Sequence, residues 1–257
     1  HKENSQISYF RRCLFQENRM QHSSPVIDRT SARLGFWAAL GGVITFVVFT
    51  VCFVLLAVGR PLYLWTNLPD YVAFVRAYPS LLADIARLSM LVFAVLFVVL
   101  ANSIYDLAAP AHKSTARLAL SFALAFAVTT GSHYFIQISA VRVSIAHDAL
   151  AGLEQVIQAN PYSAVAAMNM LGWTVFFALA SLCAAPVFTG RGLARMIRVA
   201  LIANGIICLV GGASYVLENT AVVFVTMNPL MGGAVLASTV ALAVYFRRAA
   251  KAASPAA

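Results

Sequence analysis

The chain has 257 residues, of which 61% are hydrophobic and 11% charged, and its mean hydropathy is +0.82. A soluble domain is about half apolar and about a quarter charged, so one soluble core of this length has no room for so much apolar sequence. Disorder, a collagen-like fibre and a disulfide scaffold are excluded on the same figures, which leaves a polytopic membrane protein.

The net charge is +9, from 18 Lys and Arg against 9 Asp and Glu. In a soluble chain this would point to nucleic acid. Here the basic residues stand at span ends, where topology and anionic headgroups account for them, and nucleic acid is not an expected partner.

Residues 1–33 form a basic N-terminal segment without an apolar signal region. The chain opens with His1, and Met20 begins MQHSSPVIDRTSARLGFW, which would serve on its own as a short leader. Six apolar runs follow, at about 34–58, 82–105, 118–141, 164–188, 196–217 and 220–246. Each is near the ~20 residues needed to cross ~30 Å of hydrocarbon. They are too continuous for barrel strands, which alternate over ~10 residues, and a backbone in lipid must satisfy its own hydrogen bonds. The expected fold is an all-α bundle of six transmembrane helices over 34–247, followed by a tail at 248–257.

Placing the N-terminus, the 2–3 and 4–5 connections and the C-terminus on one side puts fourteen basic residues there. Four remain opposite: Arg60, Arg76, Arg87 and Arg142. Without residues 1–19 the ratio is ten to four. The bias predicts cytoplasmic termini in an inner membrane. The two longer connections then lie outside. In the first, DYVAFVRAY reads as a short interfacial helix. In the second, Leu150, Leu153 and Ile157 within DALAGLEQVIQA share a face and predict another, ended by Asn160-Pro161.

Polar side chains in lipid are costly, so their depth is informative. Arg87, His133, Gln137, Asn169, Trp173 and Asn228 all fall toward the outer ends of their runs. Gly211, Gly212 and Pro229 weaken two helices at similar depth and read as hinges. Together they predict a polar pocket in the outer half, with Arg87 facing an anion and His133, Gln137 and Asn169 as hydrogen-bonding contacts. The competing reading is interhelical glue, worth ~0.6 kcal/mol per polar contact.

No motif implies a cofactor or a metal. Lys2, Lys113 and Lys251 lie outside the spans, which removes a retinal site, and HExxH, GxSxG, Walker A and CxxC patterns are absent. Cys13, Cys52, Cys183 and Cys208 read as free thiols. Neither Asn160-Pro161 nor Asn228-Pro229 continues into the aquaporin NPA pattern. Gly35/Ala39, Ala38/Gly42 and Gly233/Ala237 permit close helix packing, within the chain, in a homo-oligomer or in a larger membrane complex. The reading that results is a membrane binding or accessory subunit, not an enzyme. A small transporter stands second. An outer-face enzyme using Asp84, His133, His147 or Glu218 stands third.

Overall fold

A computed structural model describes residues 27–253. Helix starts follow the capping chemistry of the sequence. Asp28 caps α1 (Arg29–Gly59) by accepting from the Thr30 amide at 3.1 Å. Asn67 caps α2 (Leu68–Ala77), and Ser80 caps α3 (Leu81–Leu107). Asp, Asn and Ser side chains supply acceptors for the orphan amides of a first turn. The third span, α4 (Pro110–Ala146), opens with a tight turn at Pro110–His112. Ser163 caps α5 (Ala164–Val187), α6 spans Leu193–Val216, and Asn219 caps α7 (Thr220–Ala252).

The six long helices α1, α3, α4, α5, α6 and α7 are each long and apolar enough to cross a membrane, and no strand occurs among the described residues. Each packs on the next in sequence, and α7 returns to α1. The result is a closed ring of antiparallel neighbours, in which the short connections leave little topological choice. One end carries the segments 60–80 and 147–163 (the loop end); the other carries both ends of the described chain, near Arg29 and Ala252 (the termini end).

The interior is filled in three layers. Leu100, Ile104, Ile197, Leu242 and Phe246 are buried toward the termini end. Phe46, Phe93, Phe126, Trp173, Phe177 and Met231 form the middle. Tyr71, Val72, Val141, Ile145, Leu153 and Ile157 close the loop end. In the middle layer Phe126 lies 4.8 Å from Trp173 and 4.9 Å from Phe177, ring centre to ring centre, and Phe97 lies 4.8 Å from Phe177. Such pairs add ~0.5–1.5 kcal/mol beyond burial. They also plug the bundle axis with hydrocarbon.

Several expectations are corrected. Residues 29–33 and 248–252 are helical, so α1 starts before and α7 ends after the apolar runs that mark them in the sequence. Cap position, not the edge of the apolar run, decides where a helix starts. The helix expected within 142–163 shrinks to one 3-10 turn, Leu153–Gln155. Asp148 and Gly152 take positive φ there (56° and 73°), which no continuous right-handed helix accommodates. Its apolar residues nonetheless point inward: Leu153 and Ile157 are buried. The small residues of α1 serve contacts within the chain. A Cβ on Gly35 would meet the Phe246 ring of α7 at 2.7 Å, and Ala38 and Ala39 are buried. Gly233 and Ala237 face outward. Cys52, Cys183 and Cys208 are free thiols, and Cys13 lies outside the described residues.

Three spans contain one wide π-helical turn each: Gln137–Val141 in α4, Gly172–Phe176 in α5 and Thr226–Leu230 in α7. All three lie in the loop-end half. The one in α7 contains Pro229, whose missing amide donor explains it. Turns of this kind recur at functional sites.

Candidate functional site at the α4–α5 seam

The loop-end half of α4 presents Thr130, His133 and Gln137 at i, i+3 and i+7. The facing stripe on α5 is Val165, Asn169 and Gly172, at i, i+4 and i+7. Both spacings place their residues on one helix face. Two contacts show that the stripes meet. The His133 Nδ1 lies 3.1 Å from the Val165 carbonyl. A Cβ on Gly172 would sit 2.3 Å from the Thr130 Oγ1. Glycine is required at 172 because the two backbones approach so closely.

His133 and Gln137 are fully buried. Gln137 spends both ends of its amide on the loop-end segment: Nε2 donates to the Val156 carbonyl at 2.6 Å, and Oε1 accepts from the Gln158 amide at 3.0 Å. It is a strut that holds 156–158 onto α4. His133 makes one well-formed hydrogen bond, through Nδ1, and the Gln158 side chain also lies within reach of its ring. The His133 Nε2 is buried without a hydrogen-bond partner, and so are Thr130 Oγ1 and Asn169 Oδ1. Those three orphans all lie on the facing stripes of one seam. An unpaired buried polar group costs about 1–3 kcal/mol, and native interiors rarely leave one. Elsewhere the spans satisfy their polar groups: Asn204 donates to Ser181 at 2.9 Å, and Thr174 to the Met170 carbonyl at 2.7 Å.

Arg87 enters from α3. Its nearest carboxylate is Asp84, at 3.4 Å, and both side chains are about three-quarters covered. The guanidinium lies within electrostatic reach of His133, Tyr134, Tyr71 and Arg60. Arg60 itself stacks over the Phe74 ring, 5.4 Å from its centre. Burial raises the pKa of the Tyr71 phenol in α2, with Arg87 and Arg60 pulling it back. Burial, aided by Arg87, lowers that of Arg60. Two guanidiniums and one carboxylate therefore leave an excess positive charge beside the seam.

Of the residues expected to form a pocket, His133 and Gln137 share the α4 face that meets α5, Asn169 lies on the facing α5 stripe, and Arg87 lies within electrostatic reach of His133. Trp173 lies one turn deeper, buried in the aromatic layer. Asn228 is exposed on α7, and its amide donates to the Phe224 carbonyl of its own helix. Pro229 is exposed beside it. Gly211 and Gly212 lie inside an uninterrupted α6. There they admit neighbours, since added Cβ atoms would meet the Met227 Sδ at 2.5 Å and Thr174 at 2.7 Å. His147 and Glu154 stay in the loop-end connection, and Asp148 pairs with Arg76.

Sequence reasoning missed Thr130. Most threonines here back-bond to their own helix, as Thr129 does to the Ala125 carbonyl, so residue type alone does not distinguish an orphan. The available signal was a Thr-Thr pair one turn before a histidine.

Comparison with known protein families, with curated proteins and with solved structures gave no match. The role of the seam therefore rests on its own geometry.

Proposed function

We infer that the protein is a multi-pass binding or accessory subunit of the inner membrane, with its termini cytoplasmic. The seam between α4 and α5 holds a small polar molecule or a polar group of a lipid or partner. One observation carries this reading: the orphaned Thr130 Oγ1, His133 Nε2 and Asn169 Oδ1 share one seam, flanked by π-helical turns. They supply one hydroxyl, one ring nitrogen and one amide oxygen, with the positive charge of Arg87 beside them. That combination suits a compact ligand carrying both a donor and an anionic acceptor. The aromatic layer beneath supports binding over passage, since Phe93, Phe97, Phe126, Trp173 and Phe177 stand between the seam and the termini end. The topology half of the reading rests on the basic bias of the termini side.

Native mass spectrometry of the gently purified protein, with Asn169→Leu as comparison, tests the binding half. The expected result is a retained non-protein mass on the wild type that the variant loses while staying folded. A wild type without added mass, or a variant that keeps it, refutes the reading.

A further inference from the structure

At the termini end, α1 and α7 frame a pocket of about 290 Å³ lined by Arg29, Arg33, Phe36, Arg247, Ala250 and Lys251. We propose that this pocket is a headgroup site for an anionic phospholipid, with a preference for one carrying two phosphates. It lies at the opposite end of the bundle from the α4–α5 seam and shares no residue with it.

The pocket is built by register. Arg29 and Arg33 are i, i+4 on the first turns of α1, and Arg247 and Lys251 are i, i+4 on the last turns of α7. Each pair therefore shares one helix face. The two helices are antiparallel neighbours, locked one turn deeper where Gly35 admits the Phe246 ring. That close approach forces the four cations onto a common opening. None of them forms a salt bridge with a carboxylate among the described residues. The nearby acids are engaged locally: Asp28 accepts from the Thr30 amide, and Asp106 from Ser31 at 2.8 Å. Four like charges around one pocket repel until an anion enters.

Depth and surroundings select a lipid over a free ion. α1 is 31 residues long, ~47 Å at 1.5 Å per residue, so its first turns rise beyond ~30 Å of hydrocarbon into the headgroup layer. Below the cations the same helix exposes Leu34, Trp37 and Ile44. An acyl chain can lie along this apolar face while its phosphate sits among the guanidiniums. Arginine forks suit phosphate oxygens in bidentate geometry. Two phosphates match four cations better than one does.

The full chain in detergent, titrated by native mass spectrometry, provides the test. The probes are cardiolipin (two phosphates), phosphatidylglycerol (one), phosphatidylcholine (zwitterionic) and inorganic pyrophosphate (the free anion). Retention is expected to fall in the order cardiolipin, phosphatidylglycerol, phosphatidylcholine, with pyrophosphate failing to displace bound cardiolipin. Arg33→Gln with Arg247→Gln is expected to weaken cardiolipin retention about thirtyfold, since two basic contacts to an anionic headgroup are removed. Arg195→Gln with Arg198→Gln removes the same charge from the α6 start and is expected to leave retention within about twofold of wild type. Matched thermal unfolding of the two double variants shows that both are folded. Equal loss in both pairs, equal retention of phosphatidylcholine, or displacement by pyrophosphate would overturn the proposal.

Discussion

Gly172→Ala probes the seam most directly. The new Cβ would lie 2.3 Å from the Thr130 Oγ1, 2.8 Å from the Thr129 Oγ1 and 3.5 Å from the Thr130 backbone nitrogen. Threonine rotamers in a helix are few, and Thr129 is already held by the Ala125 and Phe126 carbonyls. The strain therefore falls on α4 itself. Overpacking of this kind costs ~1–3 kcal/mol, against a helix-propensity gain of up to ~1 kcal/mol from replacing glycine. The net expectation is a loss of ~1–2 kcal/mol. Gly233→Ala is the internal control. Nothing lies within 4 Å of its added Cβ, so only the propensity term acts and stability is expected to hold or rise. Thr130→Ala should relieve the Gly172→Ala variant, because it removes the atom nearest the clash. Alone it should hold or raise stability, since it removes a buried hydroxyl that has no partner. Equilibrium unfolding of all four proteins in mixed micelles gives the double-mutant cycle. A coupling of ~1 kcal/mol or more is expected. Additivity within ~0.3–0.5 kcal/mol would mean that the two side chains do not meet, and would refute the convergence of the α4 and α5 stripes.

Two further outcomes follow from other parts of the loop end. Gln137→Leu strands the Val156 carbonyl and the Gln158 amide, at ~1–3 kcal/mol each; faster hydrogen exchange confined to residues 150–160 is expected, and unchanged exchange there would show that Gln137 is no strut. Burial raises the Tyr71 pKa above its ordinary 10.0, so the unfolded chain releases that proton first as pH rises. The unfolded state then binds fewer protons than the folded one, and stability falls from about pH 10 upward. Tyr71→Phe should flatten this part of the alkaline profile, and a variant with the wild-type slope there would count against the buried phenol.

The six crossings were legible because each rests on about twenty apolar residues, a signal that tertiary context does not overturn. Helix ends were less so. Asp28 starts α1 five residues before its apolar run, and α7 continues six residues past Phe246 because Arg247, Arg248 and Lys251 are good helix formers in the headgroup layer. In the segment 147–163 the apolar spacing correctly marked Leu153 and Ile157 as buried but assigned them the wrong conformation. Position 152 takes a left-handed glycine, and periodicity carries no information about φ.

The site shows where pattern reasoning reaches its physical limit. Depth can be counted from sequence, because rise per residue varies little; azimuth cannot, once a helix contains a π-helical turn. One such turn inserts an extra residue and rotates everything beyond it by ~100° relative to a regular wheel. His133 precedes the wide turn of α4 and Asn169 precedes that of α5, and the two lie on the facing stripes that a regular wheel assigns them. Asn228 lies inside the wide turn of α7 and is turned outward. The same departures from regular helix that defeat the wheel mark the layer where the protein leaves Thr130, His133 and Asn169 unpaired. A regular 3.6-residue repeat would let a bundle bury apolar faces continuously, as the termini-end layer does. The wide turn of α4 lies nearer the loop end and those of α5 and α7 lie deeper, so they bracket the three polar atoms without partners and argue that this stretch is shaped around something other than helix packing.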